Sequence, residues 1–267
     1  MTGADLMLKG WDWEPSVVLG CAALAIGYLA VVRAGGGRRM ICFLSGVAIL
    51  LLDLVSPLDL LGDRYLFSAH IVQHFVLALI VPPLLLLGTP RRVAEAALER
   101  RWIAWFEREI ARPPVSWLLG AGTMIAWHVP ALFNAALANE GIHILQHLSF
   151  LATGAIFWWP VLAPPHELRM APFAATSYLF SACISCSLLG AALTFAHPGL
   201  YPAYLNPEDS LGILPLLRNQ WGLDPGNDQQ LGGLLMWVPG CFVYLSGILA
   251  TVAGWYGEVR FGEVANG

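Results

Sequence analysis

The chain has 267 residues, of which 57% are hydrophobic and 12% are charged, and its formal net charge is −4. Soluble domains carry roughly 25% charged residues, so this composition excludes an ordinary water-soluble protein. The basic segment 91–112 is predicted to be a cytoplasmic loop and does not form a nucleic-acid footprint. We therefore expect membrane lipid to surround the chain and expect no nucleic-acid partner.

Seven stretches of the sequence are apolar and long enough to cross a bilayer, which requires about 20 residues. The second is the weakest, because Asp53 and Pro57 interrupt its far end. The sequence thus predicts an all-α, polytopic transmembrane bundle of about seven spans that forms a single domain over 1–267. The predicted spans are 16–33, 40–57, 67–88, 115–136, 143–162, 173–195 and 230–253.

Basic residues concentrate in one set of the predicted loops, at 33–39 and 91–112, around Arg169 and at the C-terminal end. Loops rich in Lys and Arg remain cytoplasmic, which predicts the N-terminus outside and the C-terminus inside. Segment 91–112 has the pattern of an amphipathic helix on the inner surface. Segment 196–229, rich in Pro, Gly, Asn and Asp, is predicted to be an irregular cap over the outer end.

The histidines cluster on the predicted outer side of this bundle. Two pairs are spaced by four residues, which places both imidazoles of a pair on one face of a helix. Ionisable side chains inside a membrane are expensive and usually mark a function. The sequence therefore predicts a buried metal or proton site. Six of the seven histidines fall on this side: His70, His74, His128, His143, His147 and His197.

The donor types favour a transition metal. Imidazole suits copper, zinc, iron and nickel, whereas a thioether favours Cu(I). A site built from His74, His128, His147 and Met236 would suit copper, as Cu(I) or Cu(II). Partners that hydrogen-bond a ligating imidazole fix its orientation and its tautomer. Three polar residues could serve in this way: Gln73, Gln146 and Asp228.

Other interpretations of the same residues remain open. The histidine pairs could form interhelical hydrogen bonds, or could hold a b-type haem between facing imidazoles. A proton relay would need carboxylates, for which Asp53 is the main candidate. Cys183 and Cys186 could form a Cu(I) or redox pair, although the small residues around them are typical of helix packing.

Four blocks of the sequence carry a family resemblance. They are 68–74 (SAHIVQH) with the following PPL and LGTP, 127–130 (WHVP), 143–161 (HILQH running into FWWPV) and 228–240 (DQQLGGLLMWVPG). In this order the blocks resemble the multispan CtaG family of cytochrome c oxidase assembly factors, over about 56–250.

The resemblance implies a multi-pass protein of the bacterial inner (cytoplasmic) membrane that is an assembly factor and not an enzyme. It implies a periplasm-facing copper site that is filled by a periplasmic copper donor and assists copper insertion into nascent haem–copper oxidase subunit I. A copper transporter and a haem-binding membrane redox protein remain the alternatives. The positions that match the family pattern become, together with Met236, the candidate metal-site residues: His70, His74, His128, His143, His147 and Asp228.

Overall fold

The structure is a computed structural model that describes residues 3–32 and 37–266, and every regular element among these residues is helical. The thirteen α-helices are Gly3–Lys9 (α1), Pro15–Val32 (α2), Gly37–Val55 (α3), Pro57–Arg64 (α4), Phe67–Phe75 (α5), Val81–Gly88 (α6), Arg91–Leu98 (α7), Arg101–Ile110 (α8), Pro113–Trp127 (α9), Pro130–Ala138 (α10), Glu140–Leu162 (α11), Pro172–Phe195 (α12) and Pro225–Asn266 (α13). Short π-helical or 3-10 segments occupy Val76–Ile80, His166–Leu168, Pro202–Tyr204 and Leu216–Gln220.

Five straight segments are long and apolar enough to cross a membrane: Pro15–Val32, Phe67–Gly88, Glu140–Leu162, Pro172–Phe195 and Pro225–Gly257. Two bent pairs raise the number to seven, since α3 and α4 meet at 49° and α9 and α10 meet at 72°. The prediction of an all-α, polytopic bundle is therefore confirmed. The predicted first span ended at Arg33, which lies outside the described residues.

Proline explains the two bends. A proline disfavours the helical conformation of the residue before it, and it is favoured in the first turn of a new helix. Ser56 and Val129 are accordingly extended, and the next helix begins at Pro57 and at Pro130. His128 directly follows α9 as its C-cap at the second of these breaks, so its position follows from the proline two residues later.

The third span stays helical through Pro82 and Pro83, although a proline within a helix often causes a kink. Val76–Ile80 forms a π-helical segment directly before these prolines, and the N–H of Val81 bonds to the carbonyl of Val76. Because proline cannot donate to the helical ladder, a local change of hydrogen-bond register is expected there. The wide turn begins two residues after His74.

The two segments predicted to lie outside the membrane, 91–112 and 196–229, both contain helical structure. Segment 91–112 forms the short helices α7 and α8, and Trp102 and Trp105 on α8 are exposed. The predicted cap ends earlier than 229, because α13 already begins at Pro225. Ile213 and Leu217 of this cap are fully buried in a small apolar cluster that also contains residues of α1 and α4.

The start of α5 is held by a carboxylate from a distant helix. Leu66 precedes α5 and cannot cap it, since its side chain accepts no hydrogen bond. Instead Asp228 Oδ2 accepts the N–H of Phe67 at 2.7 Å, and Asp228 Oδ1 accepts the N–H of Ser68 at 3.0 Å and its hydroxyl. An acidic group at a helix N-terminus satisfies open donors and complements the helix dipole. Asp228 thereby joins α13 to α5.

We expect Gly120→Ala to destabilise the protein and Gly122→Ala to leave it unchanged or slightly more stable. A Cβ at Gly120 would lie 2.6 Å from Phe157 Cβ on α11, whereas a Cβ at Gly122 would meet only Leu118, at 3.9 Å. Overpacking of this kind costs about 1–3 kcal/mol. Thermal unfolding in detergent measures both variants. Equal melting temperatures would contradict close contact between α9 and α11.

We also expect Asp228→Ala to lower the free energy of unfolding by about 1–3 kcal/mol, because two buried backbone donors lose their acceptor. Asp228→Asn should lose less, since its amide oxygen still accepts one of these bonds. Denaturation of both variants in the same detergent gives the comparison. Wild-type stability in Asp228→Ala would show that the start of α5 does not depend on this carboxylate.

Candidate metal centre

Five of the seven histidines come together at one end of the bundle. The four-residue spacing brings the imidazoles together within each helix: the ring centroids of His70 and His74 on α5 are 4.4 Å apart, and those of His143 and His147 on α11 are 4.1 Å apart. Between the helices, the centroids of His70 and His143 lie 5.3 Å apart, and those of His74 and His128 lie 5.4 Å apart. We call these five residues the histidine cluster. His197, the sixth histidine of the predicted outer side, is exposed and lies outside it.

Three members of the cluster are close enough to share one ion. One ligand nitrogen from each of His70, His74 and His147 lies within 4.8 Å of the other two. Metal–imidazole bonds are about 2.0–2.1 Å long, so nitrogens around one ion lie up to about 4.2 Å apart. Small rotations of the three imidazoles would therefore complete a three-nitrogen site. We call these residues the deep triad.

The buried imidazole nitrogens lack the hydrogen bonds that a purely structural cluster would provide. Both ring nitrogens of His74 and the Nε2 atoms of His128, His143 and His147 are buried without a hydrogen-bond partner. Leaving such a group unpaired costs about 1–3 kcal/mol. Among the hydrogen bonds of the described residues, none joins two members of the cluster. The nitrogens are thus available as ligands, and the residues present fit a bound transition metal.

Backbone carbonyls and a tyrosine orient His128. Its Nδ1 lies 2.6 Å from the carbonyl oxygen of Met124, which leaves Nε2 directed away from its own helix. Its own carbonyl accepts the hydroxyl of Tyr201 at 2.8 Å. Burial raises the pKa of Tyr201, so this hydroxyl stays protonated and keeps donating. A hydrogen bond to the second ring nitrogen is the usual way in which a ligating imidazole is fixed.

His70 is held in a similar way but more loosely. Its Nδ1 lies 3.3 Å from the carbonyl oxygen of Gly62, and its Nε2 lies 3.4 Å from Gln146 Oε1. The same Gly62 carbonyl accepts the hydroxyl of Tyr204 at 2.7 Å, and burial raises the pKa of that tyrosine as well. A Cβ at Gly62 would lie 3.0 Å from the backbone nitrogen of His70 and 3.1 Å from its Cα, so glycine at this position favours the close approach of α4 to α5.

Carboxylates from α4, which were not among the candidate residues of the sequence, also reach the cluster. Asp63 Oδ1 lies 3.4 Å from His143 Nε2, and Asp63, His70 and His143 form a second group whose ligand atoms lie within 4.8 Å of one another. Asp59 accepts a hydrogen bond from Gln73 Nε2 at 2.8 Å. Gln73 is thus turned toward α4, not toward an imidazole. One feature of the sequence could have identified these carboxylates: Asp59 and Asp63 are spaced by four residues after Pro57, which favours a helix start, so both lie on one face of α4.

Soft donors lie on the opposite side of the cluster. Met236, predicted from the sequence as a ligand, lines a small apolar pocket together with His74, His128, Met124 and Cys186. Met236 and Met124 are both buried. Their thioether groups are the donor type that Cu(I) prefers.

Asp228 and Cys183 do not contribute to this group of donors. Both carboxylate oxygens of Asp228 accept hydrogen bonds from the start of α5, so the structure assigns this predicted ligand to a helix cap. Cys183 faces Cys241 across the helix interface, with the sulfurs 3.2 Å apart, instead of pairing with Cys186. Cys186 contacts the carbonyl oxygen of Met236 at 3.5 Å.

Two phenylalanines enclose the cluster. Phe150 lies 4.3 Å from His74 between ring centroids, and Phe133 lies 4.9 Å from His70. The two phenylalanine side chains are 1% and 0% exposed. Aromatic walls of this kind keep water away, and electrostatic interactions with a bound cation are stronger in the resulting low dielectric.

Comparison with known proteins gives one family and several relatives. Residues 23–258 match the family model described as cytochrome c oxidase caa3 assembly factor (Caa3_CtaG). The uncharacterized protein ML1998 of Mycobacterium leprae is 25% identical over 268 residues, which cover 92% of this chain and 39% of that protein. The uncharacterized protein Mb0105 of Mycobacterium bovis is 24% identical over 278 residues, which cover 95% of this chain and 40% of that protein.

The chain therefore spans about two fifths of the length of these relatives. No solved structure shows a significant match to it. The family match, in contrast, covers the histidine cluster and every candidate span except the beginning of the first. On this basis the chain belongs to the family of cytochrome c oxidase caa3 assembly factors.

Proposed function

We propose that this assembly-factor chain binds copper at the histidine cluster and assists its insertion into subunit I of a haem–copper oxidase. One observation carries the proposal: the deep triad holds its nitrogens within 4.8 Å, and the ring nitrogens of His74 and His147 Nε2 are buried without partners. Copper is then the cargo of the protein and not a resident cofactor. The proposal assigns no catalytic reaction to the chain.

The choice of copper rests on the donor set around the triad. Imidazole alone would suit several metals, but Met124, Met236 and Cys186 lie beside His74 and His128. Thioether and thiol sulfur select Cu(I) over hard cations. A mixed imidazole and sulfur environment therefore supports copper more strongly than zinc or iron.

The direction of delivery rests on charge. Most basic residues lie in loops at the end of the bundle away from the cluster, and such loops remain cytoplasmic. With this orientation the cluster opens to the periplasm of a bacterial inner membrane. It would accept copper from a periplasmic donor and pass it to nascent subunit I, the partner expected of an oxidase assembly factor.

A copper transporter is the second candidate, and one feature favours it. The pocket beneath His74 shares Met124 and Cys186 with another small pocket, which continues along α11 as far as Phe157. Soft side chains thus extend deeper into the bundle than the imidazoles. Uptake of copper by vesicles that contain only this protein would favour transport, whereas copper bound without uptake would favour delivery to a partner.

We expect purified wild-type protein to bind copper with no Soret band, and the double variant His74→Ala/His147→Ala to lose it. Removal of groups that only support a ligand weakens metal affinity by 10–100-fold, so loss of two ligands should exceed about 100-fold. His197→Ala is the matched control, because it removes an exposed histidine outside the cluster. Elemental analysis and the absorption spectrum provide the readouts. Undiminished copper in the double variant would exclude the deep triad as the copper site. A Soret band would show that the protein binds haem and would contradict the copper proposal.

In cells we expect the His74→Ala and His147→Ala variants to leave oxidase subunit I present but deficient in copper. The physical reason is that each change removes one nitrogen of the deep triad while the bundle keeps its fold. Quantification of oxidase protein and of its copper in the same membranes tests this expectation. Oxidase with full copper occupancy in both variants would contradict the proposed function.

A further inference from the structure

We propose that Asp63 and His143 form a capture site at the mouth of the histidine cluster, where a divalent cation binds first before it moves through His70 to the deep triad. This inference rests on the proposed function and adds the route by which the cargo arrives. It assigns a role to Asp63, a carboxylate from α4.

Exposure falls steadily along this route. The side chain of Asp63 is 36% exposed and that of His143 is 14% exposed. His70 and His74, which follow, are 0% and 1% exposed. A cation from the aqueous phase therefore meets the carboxylate first and the deep triad last.

The donor atoms of the capture site are free to bind. Asp63 Oδ1 and His143 Nε2 lie 3.4 Å apart, and each is buried at the atom without a hydrogen-bond partner. With His70 they form a group whose ligand atoms lie within 4.8 Å of one another. A carboxylate together with two imidazoles suits a borderline divalent cation such as Cu²⁺ or Zn²⁺. The three imidazoles of the deep triad suit the same divalent cation, so the ion moves inward without a change of oxidation state.

The surrounding charges draw cations toward this mouth. Asp12, Asp59 and Asp63 are close enough to interact electrostatically with one another, and Arg64 is the positively charged neighbour of Asp63. Clefts lined by one sign of charge raise the local concentration and the association rate of the opposite charge.

His70 connects the two sites. It belongs to both ligand groups, and each group counts one ligand atom from it. Its hydrogen bonds to Gly62 and Gln146, at 3.3 and 3.4 Å, are longer than the usual range, so the imidazole is weakly restrained. Because His70 serves both sites, one ion passes from the capture site to the triad and the sites are not filled independently.

The test is the rate at which Cu²⁺ loads the purified 267-residue chain, measured by stopped-flow quenching of tryptophan fluorescence at low ionic strength. We expect Asp63→Asn to slow loading about tenfold, the lower end of electrostatic effects on association. The final amount of bound copper should equal that of wild type, since the deep triad is intact. Glu14→Gln is the matched control, because Glu14 is an exposed carboxylate at the same end of the bundle.

Each outcome has a defined meaning. Slower loading with unchanged final copper in Asp63→Asn, and in Asp63→Ser as a second variant, supports the capture role. Wild-type loading rates with unchanged copper overturn the capture role and leave the proposed function standing. Loss of the final copper in a well-folded Asp63→Asn protein also overturns it, because Asp63 would then be a ligand of the resident ion. Absence of copper from wild type as well overturns both proposals.

Discussion

Helix ends that lie inside the bundle must find hydrogen-bond partners within the protein, because the bilayer core contains no water to supply them. Three such ends position the metal centre. Asp228 caps the start of α5, Tyr201 donates to the carbonyl of His128 at the break before α10, and Tyr204 donates to the carbonyl of Gly62 near the end of α4. These bonds come from α13 and from the cap, so the positions of α5, of His128 and of Gly62 depend on distant parts of the chain.

The metal centre differs from the residues that position it in how its buried polar groups are hydrogen-bonded. The supporting polar groups are hydrogen-bonded, whereas both ring nitrogens of His74, the Nε2 atoms of His128 and His147 and the carboxylate of Asp53 are buried and unpaired. The three helix ends have hydrogen-bond partners, whereas these nitrogens of the histidine cluster have none. The unpaired groups therefore remain available for a ligand. Phe133 and Phe150 enclose them and keep the surroundings dry.

Local features of the sequence predicted the helices well. Apolar length located the spans, the prolines at 57 and 130 mark the breaks, and the four-residue spacing of the histidine pairs correctly placed each pair on one helix face. Residues whose role depends on a distant contact were harder to predict. Asp228 was assigned to the metal, although its acceptor atoms meet a helix start 160 residues away. Asp63 was overlooked, because nothing near it in the sequence indicates that His143 is its neighbour.

The sequence by itself determined the class of protein, the spans and the family-like histidine blocks, because hydrophobic length and helical periodicity act over one helix at a time. Only the tertiary structure decided which of the six outer histidines meet and which carboxylates join them. The close approach of α9 to α11 at Gly120 brings together two helices that position imidazoles, and that of α4 to α5 at Gly62 brings the carboxylate of Asp63 toward His70. Such approaches depend on the shapes of two packed surfaces, and neither segment contains that information alone.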